Sequence, residues 1–455
     1  MNPSRYTSIR LLAFDALAIF VVFNLIGWLR GVVRPESLVV LPLLGPLIVT
    51  VVAFYLIDGY KSRTDMLSID YTSLHLIALV LAMLCTLLMT FVLIPSGYTL
   101  QQSRAVVALS FFALMPVTLL YRRGQYLRRL QQQQSRSLIF VGDHASCQEF
   151  RLECEKMNYT QPIIYTNFSS ETAFPAPVPG IQSFEDVIQR AEKQELPIEA
   201  IVLRESSREF PPAVSQQLIR LFFNGVPTYT LELFHEAYWR KIPLYRLNQA
   251  WLFQDGFQIA REPVFERAKR ISDVTLSILG LLLVAPLLLP AACAIWLEDR
   301  GPVFFLQTRI GRNRVPFSIV KLRTMHVQAA AGERYTQPGD ARITRVGRFL
   351  RASRLDEFPQ LWNVLRGDMS LIGPRAEWNV LVDDYERQIP CYHFRHLVKP
   401  GITGWAQVNY PYGANLEDTL RKLEYDLYYI RHFSFMLDAA IVLKTIHIML
   451  FGKGR

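Results

Sequence analysis

Cysteine is scarce in this chain of 455 residues: Cys85, Cys147, Cys154, Cys293 and Cys391 are scattered, and Cys85 and Cys293 fall in apolar runs. That spacing fits neither a disulfide framework nor a zinc site, so a reducing cytoplasmic setting is expected. Acidic residues are in deficit, 39 against 49 Lys and Arg, for a net charge of +10 and a pI near 9.3. Such a basic chain is suited to anionic lipid, sugar nucleotides or nucleic acid. No G-x-G-x-x-G follows an apolar strand pattern, which leaves little support for a dinucleotide site. The first apolar run lacks a small-residue cleavage site, so it reads as an anchor and not as a removable signal.

Apolar residues, by contrast, are plentiful: 51% of the chain, with mean hydropathy +0.17. The length accommodates about two to four domains. Four apolar runs open the sequence, about Leu11–Leu29, Leu38–Ile57, Leu74–Ile94 and Ala105–Tyr121. Each approaches the ~20 residues that cross ~30 Å of hydrocarbon. Asp15 lies inside the first run, either as a functional intramembrane acid or as an acid facing the bundle interior. Arg5 and Arg10 precede the first run, Lys61 and Arg63 follow the second, and Arg122, Arg123, Arg128, Arg129 and Arg136 follow the fourth. The opposite side carries Arg30, Arg34 and Arg104. The excess of cations at the termini of the bundle places both ends in the cytoplasm.

Gln131–Gln134 marks a linker. Ser137–Val141, Ile163–Tyr165 and Ile198–Leu203 then read as strands, alternating with helical patterns such as Ser215–Asn224. The alternation predicts a parallel α/β module, with Gly142 after its first strand. A further apolar run, Ile271–Leu297, contains Pro286 and Pro290. Proline inside a helix removes a hydrogen bond and crowds the preceding turn, so a sharp break is expected at Ala285-Pro286. Parity then decides the topology: a crossing helix would put everything after it outside the cell. A re-entrant helix keeps the following basic segment in the cytoplasm, and that form is expected. From Arg300 to Arg375 about 14 basic residues face the acids Glu333, Asp340, Asp356, Glu357 and Asp368. The chain closes on one long helical pattern, about Leu416–Phe451, whose composition suits an interfacial helix.

The chemistry concentrates where Asp356 and Glu357 lie among Arg345, Arg348, Arg351 and Arg354. Carboxylate oxygens hold Mg²⁺, and guanidinium forks hold phosphate. One carboxylate of such a pair can attack phosphorus while the other holds the metal; surface salt bridges are the plainer alternative. Lys321 and Arg323 alternate with apolar residues and can share one face of a strand, to bind phosphate or as a solvated basic face. Two Gly/Pro loops, Ser370–Arg375 and Lys399–Trp405, bring Arg375, Lys399 and Thr403 to turns where backbone N–H groups can approach an anion, although bland turns would look the same.

The stretches KRISDVTLSILGLLLVAPLL, GPVFFLQTRIGRN, FSIVKLRTM, TRVGRFLRASRLDEFPQLWNVLRGDMSLIGPR, KPGITGWAQVNY and KLEYDLYYIRHFSFMLDAAIVLKTI occur in this order from Lys269 onward. Together they resemble the bacterial sugar transferase family, the polyprenyl-phosphate hexose-1-phosphate transferases. The part preceding them is similar to the family's long form. The resemblance implies an α-helical membrane protein with an α/β module: four transmembrane helices over 1–125, a Rossmann-like cytoplasmic domain over 135–250, and a monotopic phosphoglycosyl transferase domain over 265–455 with a re-entrant membrane helix at 271–297. It further implies transfer of a hexose-1-phosphate from a UDP-hexose to undecaprenyl phosphate, releasing UMP, at the cytoplasmic face of the bacterial inner membrane. Carried over residue by residue, Asp356 is the nucleophile, Glu357 helps bind Mg²⁺, and Lys321, Arg323, Arg351, Arg354, Arg375, Lys399 and Thr403 bind substrate phosphates. Ala285 stands where members often carry serine, and Gly373-Pro374-Arg375-Ala376 replaces a Gly-Pro-Arg-Pro loop. A homodimer in the lipid bilayer is expected, with no nucleic-acid partner. The rival readings are a lipid-linked glycosyltransferase that releases UDP and a non-catalytic membrane scaffold.

Overall fold

The computed structural model describes residues 3–451 except 35–37, 62–63, 94–102, 134–135, 158, 160, 168–180, 194, 205–211, 245–262, 328–339, 412 and 414. Gln134, Ile94 and the 245–250 end of the expected α/β module lie outside the described residues. The chain divides into two compact units, Met1–Arg240 and Lys241–Arg455.

The first unit begins with helices α1 (Pro3–Leu29), α2 (Leu44–Leu56), α3 (Ile69–Leu88) and α4 (Arg104–Gln133). They pack in a ring, α1 on α2, α2 on α3, α3 on α4 and α4 on α1. Thr7–Leu29, Ile69–Val92 and Arg104–Leu130 are long and apolar enough to cross a membrane. The second apolar run falls short of the expectation, since its apolar helix covers only Leu41–Leu56. Prolines at Pro42 and Pro46 confine its start. Asp58, at φ 60°, turns the chain just past its end. The linker expected at Gln131 also begins later, because α4 carries through Gln133.

Asp15 faces the bundle interior. Both its oxygens accept from the Arg122 guanidinium, at 2.8 and 2.7 Å, and the Tyr60 hydroxyl donates to it at 2.7 Å. Beyond the bundle, strands β1 (Ser137–Val141), β2 (Ile163–Asn167), β3 (Ile181–Ser183), β4 (Ile198–Leu203) and β5 (Thr228–Thr230) form one parallel sheet in the order β3-β2-β1-β4-β5. Helices α5 (His144–Lys156), α6 (Phe184–Glu192), α7 (Pro212–Phe223) and α8 (Leu231–Tyr238) connect or follow them. β1 is buried throughout, as a central parallel strand must be. At its end the Asp143 carboxylate caps α5 through Ser146 N–H and pairs with Arg204 at 2.5 Å.

The first helix of the second unit is α9 (Pro263–Asp299), whose 37 residues stay helical through Pro286 and Pro290, so the sharp break expected at Ala285-Pro286 does not interrupt it. Its middle is bare and apolar, with Leu283 79% and Leu289 71% exposed. Next come the antiparallel hairpin β6 (Phe304–Ile310) and β7 (Pro316–Leu322), and the helices α10 (Arg345–Ser353) and α11 (Gln360–Arg366). β8 (Ser370–Ile372) pairs in parallel with β9 (Gly401–Thr403), and α12 (Asn379–Gln388) lies between them in sequence. The chain closes with α13 (Trp405–Asn409), α14 (Leu416–Arg431) and α15 (Phe435–Phe451). The single terminal helix expected from the sequence is therefore two helices, separated near His432. Nor is α14 an interfacial helix: Leu423, Leu427, Tyr429 and Ile430 are buried in the core with Trp405 and Tyr392. An apolar stripe looks the same in sequence whether it faces lipid or protein.

Candidate functional site

The site is built on the turn between α10 and α11. Thr344 caps α10, accepting from Gly347 N–H at 2.8 Å. Gly347 lies against the strand-end backbone so closely that a Cβ there would come 2.1 Å from the Thr324 carbonyl oxygen. Only glycine allows this approach, and it draws α10 onto the end of β7. After Ser353 the chain reverses at Arg354, which adopts a left-handed conformation with φ 59°. Leu355–Glu357 form a tight helical turn, and Pro359 precedes α11. Asp356 is thereby folded inward, 9% exposed.

The two acids meet different surroundings. Glu357 Oε1 accepts from the Lys321 ammonium at 3.0 Å, and its other oxygen lies 3.9 Å from Arg354. Burial works against its charge, but Lys321, Arg375 and Arg354 hold the carboxyl at about 2. Asp356 Oδ1 is buried with no hydrogen-bond partner among the described residues. Burial and the adjacent Glu357 charge push its carboxyl up to about 6, against the pull of Lys321, Arg351 and Arg354. Environments that drive two neighbouring acids apart assign them separate roles. Burial also lowers the Lys321 ammonium.

The sequence-predicted residues divide accordingly. Lys321, Arg351, Arg354 and Arg375 gather around Asp356 and Glu357. Arg351 is held there by Thr324, to which its Nε donates at 2.8 Å. Arg323 goes elsewhere. It lies past the end of β7, buried, 3.7 Å from Asp299 at the end of α9. Lys321 and Arg323 therefore do not share one strand face: the strand ends at Leu322, and the alternation ends with it. Thr403 bonds Thr445 of α15 at 2.8 Å. Lys399 lies beside Asp273, Arg270 and Arg312 in a separate group. Ala285 and Pro286 lie within α9.

Some positioning residues escaped the sequence reading. Asn363 of α11 fixes β7, accepting from Val320 N–H at 2.9 Å and donating to the Ser318 carbonyl at 2.7 Å. Arg395 donates to the Arg375 carbonyl at 3.0 Å and to Asp426 at 2.9 Å, which anchors the loop that carries Arg375. Gly373 in that loop permits close passage of the Lys399 carbonyl, 2.4 Å from where a Cβ would stand. The available signal was a polar residue within an apolar helical pattern, which does not name its partner.

The residues fit a divalent ion in part. Among the described residues no group of three or more His, Cys, Asp or Glu side chains could hold one. Asp356 supplies one free buried oxygen and Glu357 a carboxylate that stays ionised. Mg²⁺ commonly binds one or two carboxylates and completes its shell with water and substrate phosphate.

Residues 264–452 match the family profile described as bacterial sugar transferase. The chain is 42% identical over 238 residues to a UDP-N-acetylgalactosamine-undecaprenyl-phosphate N-acetylgalactosaminephosphotransferase of Aeromonas hydrophila, covering 52% of this chain and 55% of that one. A UDP-glucose:undecaprenyl-phosphate glucose-1-phosphate transferase of Caulobacter vibrioides is 48% identical over 181 residues, 39% of this chain and 68% of that one. The protein so named in Escherichia coli K12 is 44% identical over 182 residues, 39% of each chain. The chain thus spans about half the length of the Aeromonas relative.

Proposed function

The chain belongs to the bacterial sugar transferase family, and from that premise we propose that it transfers a hexose-1-phosphate from a UDP-hexose to undecaprenyl phosphate. The observation that carries this reading is the unpaired, buried Asp356 oxygen beside an ionised Glu357 in a field of cations. A carboxylate left without a partner is a free nucleophile. In the proposed reaction an Asp356 oxygen attacks the phosphorus that bears the sugar. The bond from that phosphorus to the UMP oxygen breaks, and UMP leaves with the electron pair. A phosphate oxygen of the lipid then attacks the same phosphorus and displaces Asp356, forming the lipid-diphosphate sugar. Arg351, Arg354 and Arg375 bear on the transferring phosphoryl group, where fixed cations stabilise developing charge. Lys321 keeps Glu357 ionised. Mg²⁺, held by Asp356 and Glu357, would neutralise donor phosphate charge.

Membrane placement belongs to the same proposal. The N-terminal end of α9 is tied through Arg270 to the Leu365 carbonyl at 2.5 Å and through Asp273 to Ser370 and Leu371 at 3.1 Å. The C-terminal end is tied through Glu298 to Arg345 N–H at 2.8 Å and through Asp299 to Val327 N–H at 2.9 Å. Both ends therefore bind segments of one compact unit, while the apolar middle is exposed. In the proposed placement this helix dips into one leaflet and returns, and Pro286, which removes a backbone donor, would be the place to bend. The three-part division into bundle (1–125), Rossmann-like module (135–250) and transferase domain (265–455), the homodimer and the cytoplasmic face of the inner membrane complete the reading. The reaction would start assembly of a surface polysaccharide.

Nucleotide product analysis tests it. Purified full chain in nanodiscs, with undecaprenyl phosphate and Mg²⁺, is offered a panel of UDP-sugars. UMP release, together with a phosphosugar mass adduct lost in Asp356→Asn, is the expected result. UDP release would replace the reading with glycosyl transfer, and no turnover with any donor would favour the scaffold.

A further inference from the structure

The second unit contains an open cavity of about 580 Å³ at the N-terminal end of α9, lined in part by Arg267, Arg270, Asp273, Arg312, Lys399 and Phe433. It shares no lining residue with the Asp356–Glu357 cluster. The two places sit at opposite ends of α11: Glu357 lies shortly before its first residue, while Arg270 binds the Val364 and Leu365 carbonyls at its last turn. Seven helical residues separate them, about 10 Å of rise.

Charge in this cavity is not balanced. Arg312 is neutralised by Glu266 at 2.6 Å. Asp273 is satisfied by the Ser370 hydroxyl and Leu371 N–H. Lys269 pairs with Asp438. Three cations remain that meet no carboxylate within salt-bridge distance among the described residues: Arg267, Arg270 (which binds neutral carbonyls) and Lys399. Gly367, at φ 101°, turns the chain beside this group, with Arg270 and Lys399 Nζ 3.5 and 3.7 Å from where a Cβ would stand. Burial and the facing Arg270 and Arg312 charges lower the Lys399 ammonium, against the pull of Asp273 and Glu266.

Apolar surface begins at the same spot. Ile271, 68% exposed, lines the cavity and is the first residue of the bare run of α9. Ile278, seven residues on and also exposed, continues the same face of the helix. Phe433 and Val398 form the inner apolar wall. A concave site with unpaired cations at its mouth and an apolar stripe leading away has the amphiphilic character of a phosphate ester on a hydrocarbon tail.

We propose that this cavity is a second phosphate site, taking the phosphate head of a membrane lipid whose tail lies along Ile271 and Ile278. It depends on the membrane placement of α9 and not on the transfer reaction, so its test reads binding alone. Native mass spectrometry of the detergent-solubilised full chain, titrated separately with phosphatidylglycerol, undecaprenyl phosphate and inorganic phosphate, counts bound molecules. Wild type is expected to retain one lipid. The double variant Arg267→Gln/Lys399→Gln is expected to bind it about ten-fold more weakly. Lys399→Arg should retain it, and Asp356→Asn should leave it in place. Retention of phosphatidylglycerol assigns the site to a bilayer phospholipid, and retention of undecaprenyl phosphate alone assigns it to the acceptor before reaction; either supports a lipid-phosphate site. Full retention by the double variant overturns the proposal, as does loss in Asp356→Asn, which would return the lipid to the catalytic cluster. Displacement by inorganic phosphate at equal concentration would remove the tail from it. Should the double variant fold poorly, the exposed Arg267→Gln alone provides the comparison.

Discussion

Two aspartates in this protein lie buried among arginines, and they have opposite fates. Asp15 has both oxygens taken by Arg122 and a third bond from Tyr60, and Arg122 in turn lies 3.9 Å over the Phe54 ring. Both Asp15 oxygens are therefore taken within the bundle. Asp356 has Lys321, Arg351 and Arg354 nearby, yet its Oδ1 is bonded to none of them, because Lys321 is spent on Glu357 and Arg351 on Thr324. A buried charge costs several kcal/mol unless it is paired, so pairing is the default and its omission needs a cause. The saturated aspartate holds a bundle together; the unsaturated one is available for chemistry.

Mutation should separate the two most sharply at Asp356 itself. Asp356→Asn keeps the shape and removes the proposed nucleophile, so UMP release should fall by about 10³-fold or more with folding intact. Asp15→Ala should do the reverse. It strands Arg122, destabilising the bundle by about 3–5 kcal/mol in detergent melts, while the folded fraction keeps its turnover. Asp15→Leu combined with Arg122→Met should recover most of that loss. If Asp15→Asn instead stopped turnover in fully folded protein, the contrast between the two aspartates would collapse.

Smaller effects sharpen the catalytic side. Lys321→Met should lower turnover about ten- to a hundred-fold. It should also remove a cation that pulls the Asp356 carboxyl down, moving the acid limb of the pH profile upward. In the intact protein the limb follows Asp356, held at about 6. Its reactive form is the carboxylate, so turnover should be level above pH 6 and fall about ten-fold per unit below it. Arg323→Lys should have the smallest effect. Arg323 pairs with Asp299 and not with the acidic pair, so turnover should stay near wild type in initial-rate assays.

Much of this was legible from residues in a row. The apolar runs, the strands around Ser137–Val141 and Ile198–Leu203, and the acidic pair in its arginine field are local patterns of period, length and charge. What escaped was set by partners distant in sequence. Lys321 and Arg323 read as one basic face because strand alternation was extended one residue too far; only the arrival of Gly347 against Thr324 shows where β7 stops. Lys399 and Thr403 read as phosphate ligands from a glycine-rich loop, a pattern that does not tell that Lys399 meets Asp273 and Arg270 and that Thr403 meets Thr445. The second apolar run read as a full span because hydropathy does not register that its helix begins only at Leu41, with Pro42 and Pro46 in its first turns.

Covalent order and local physics are enough for the membrane-length apolar helices, the parallel α/β module and the acidic pair among cations. Which cation goes to which acid is set by packing between distant segments. Arg122 reaches Asp15 across 107 residues and Lys321 reaches Glu357 across 36, and a charge buried at such separations is paired or left bare by packing, which no local pattern encodes.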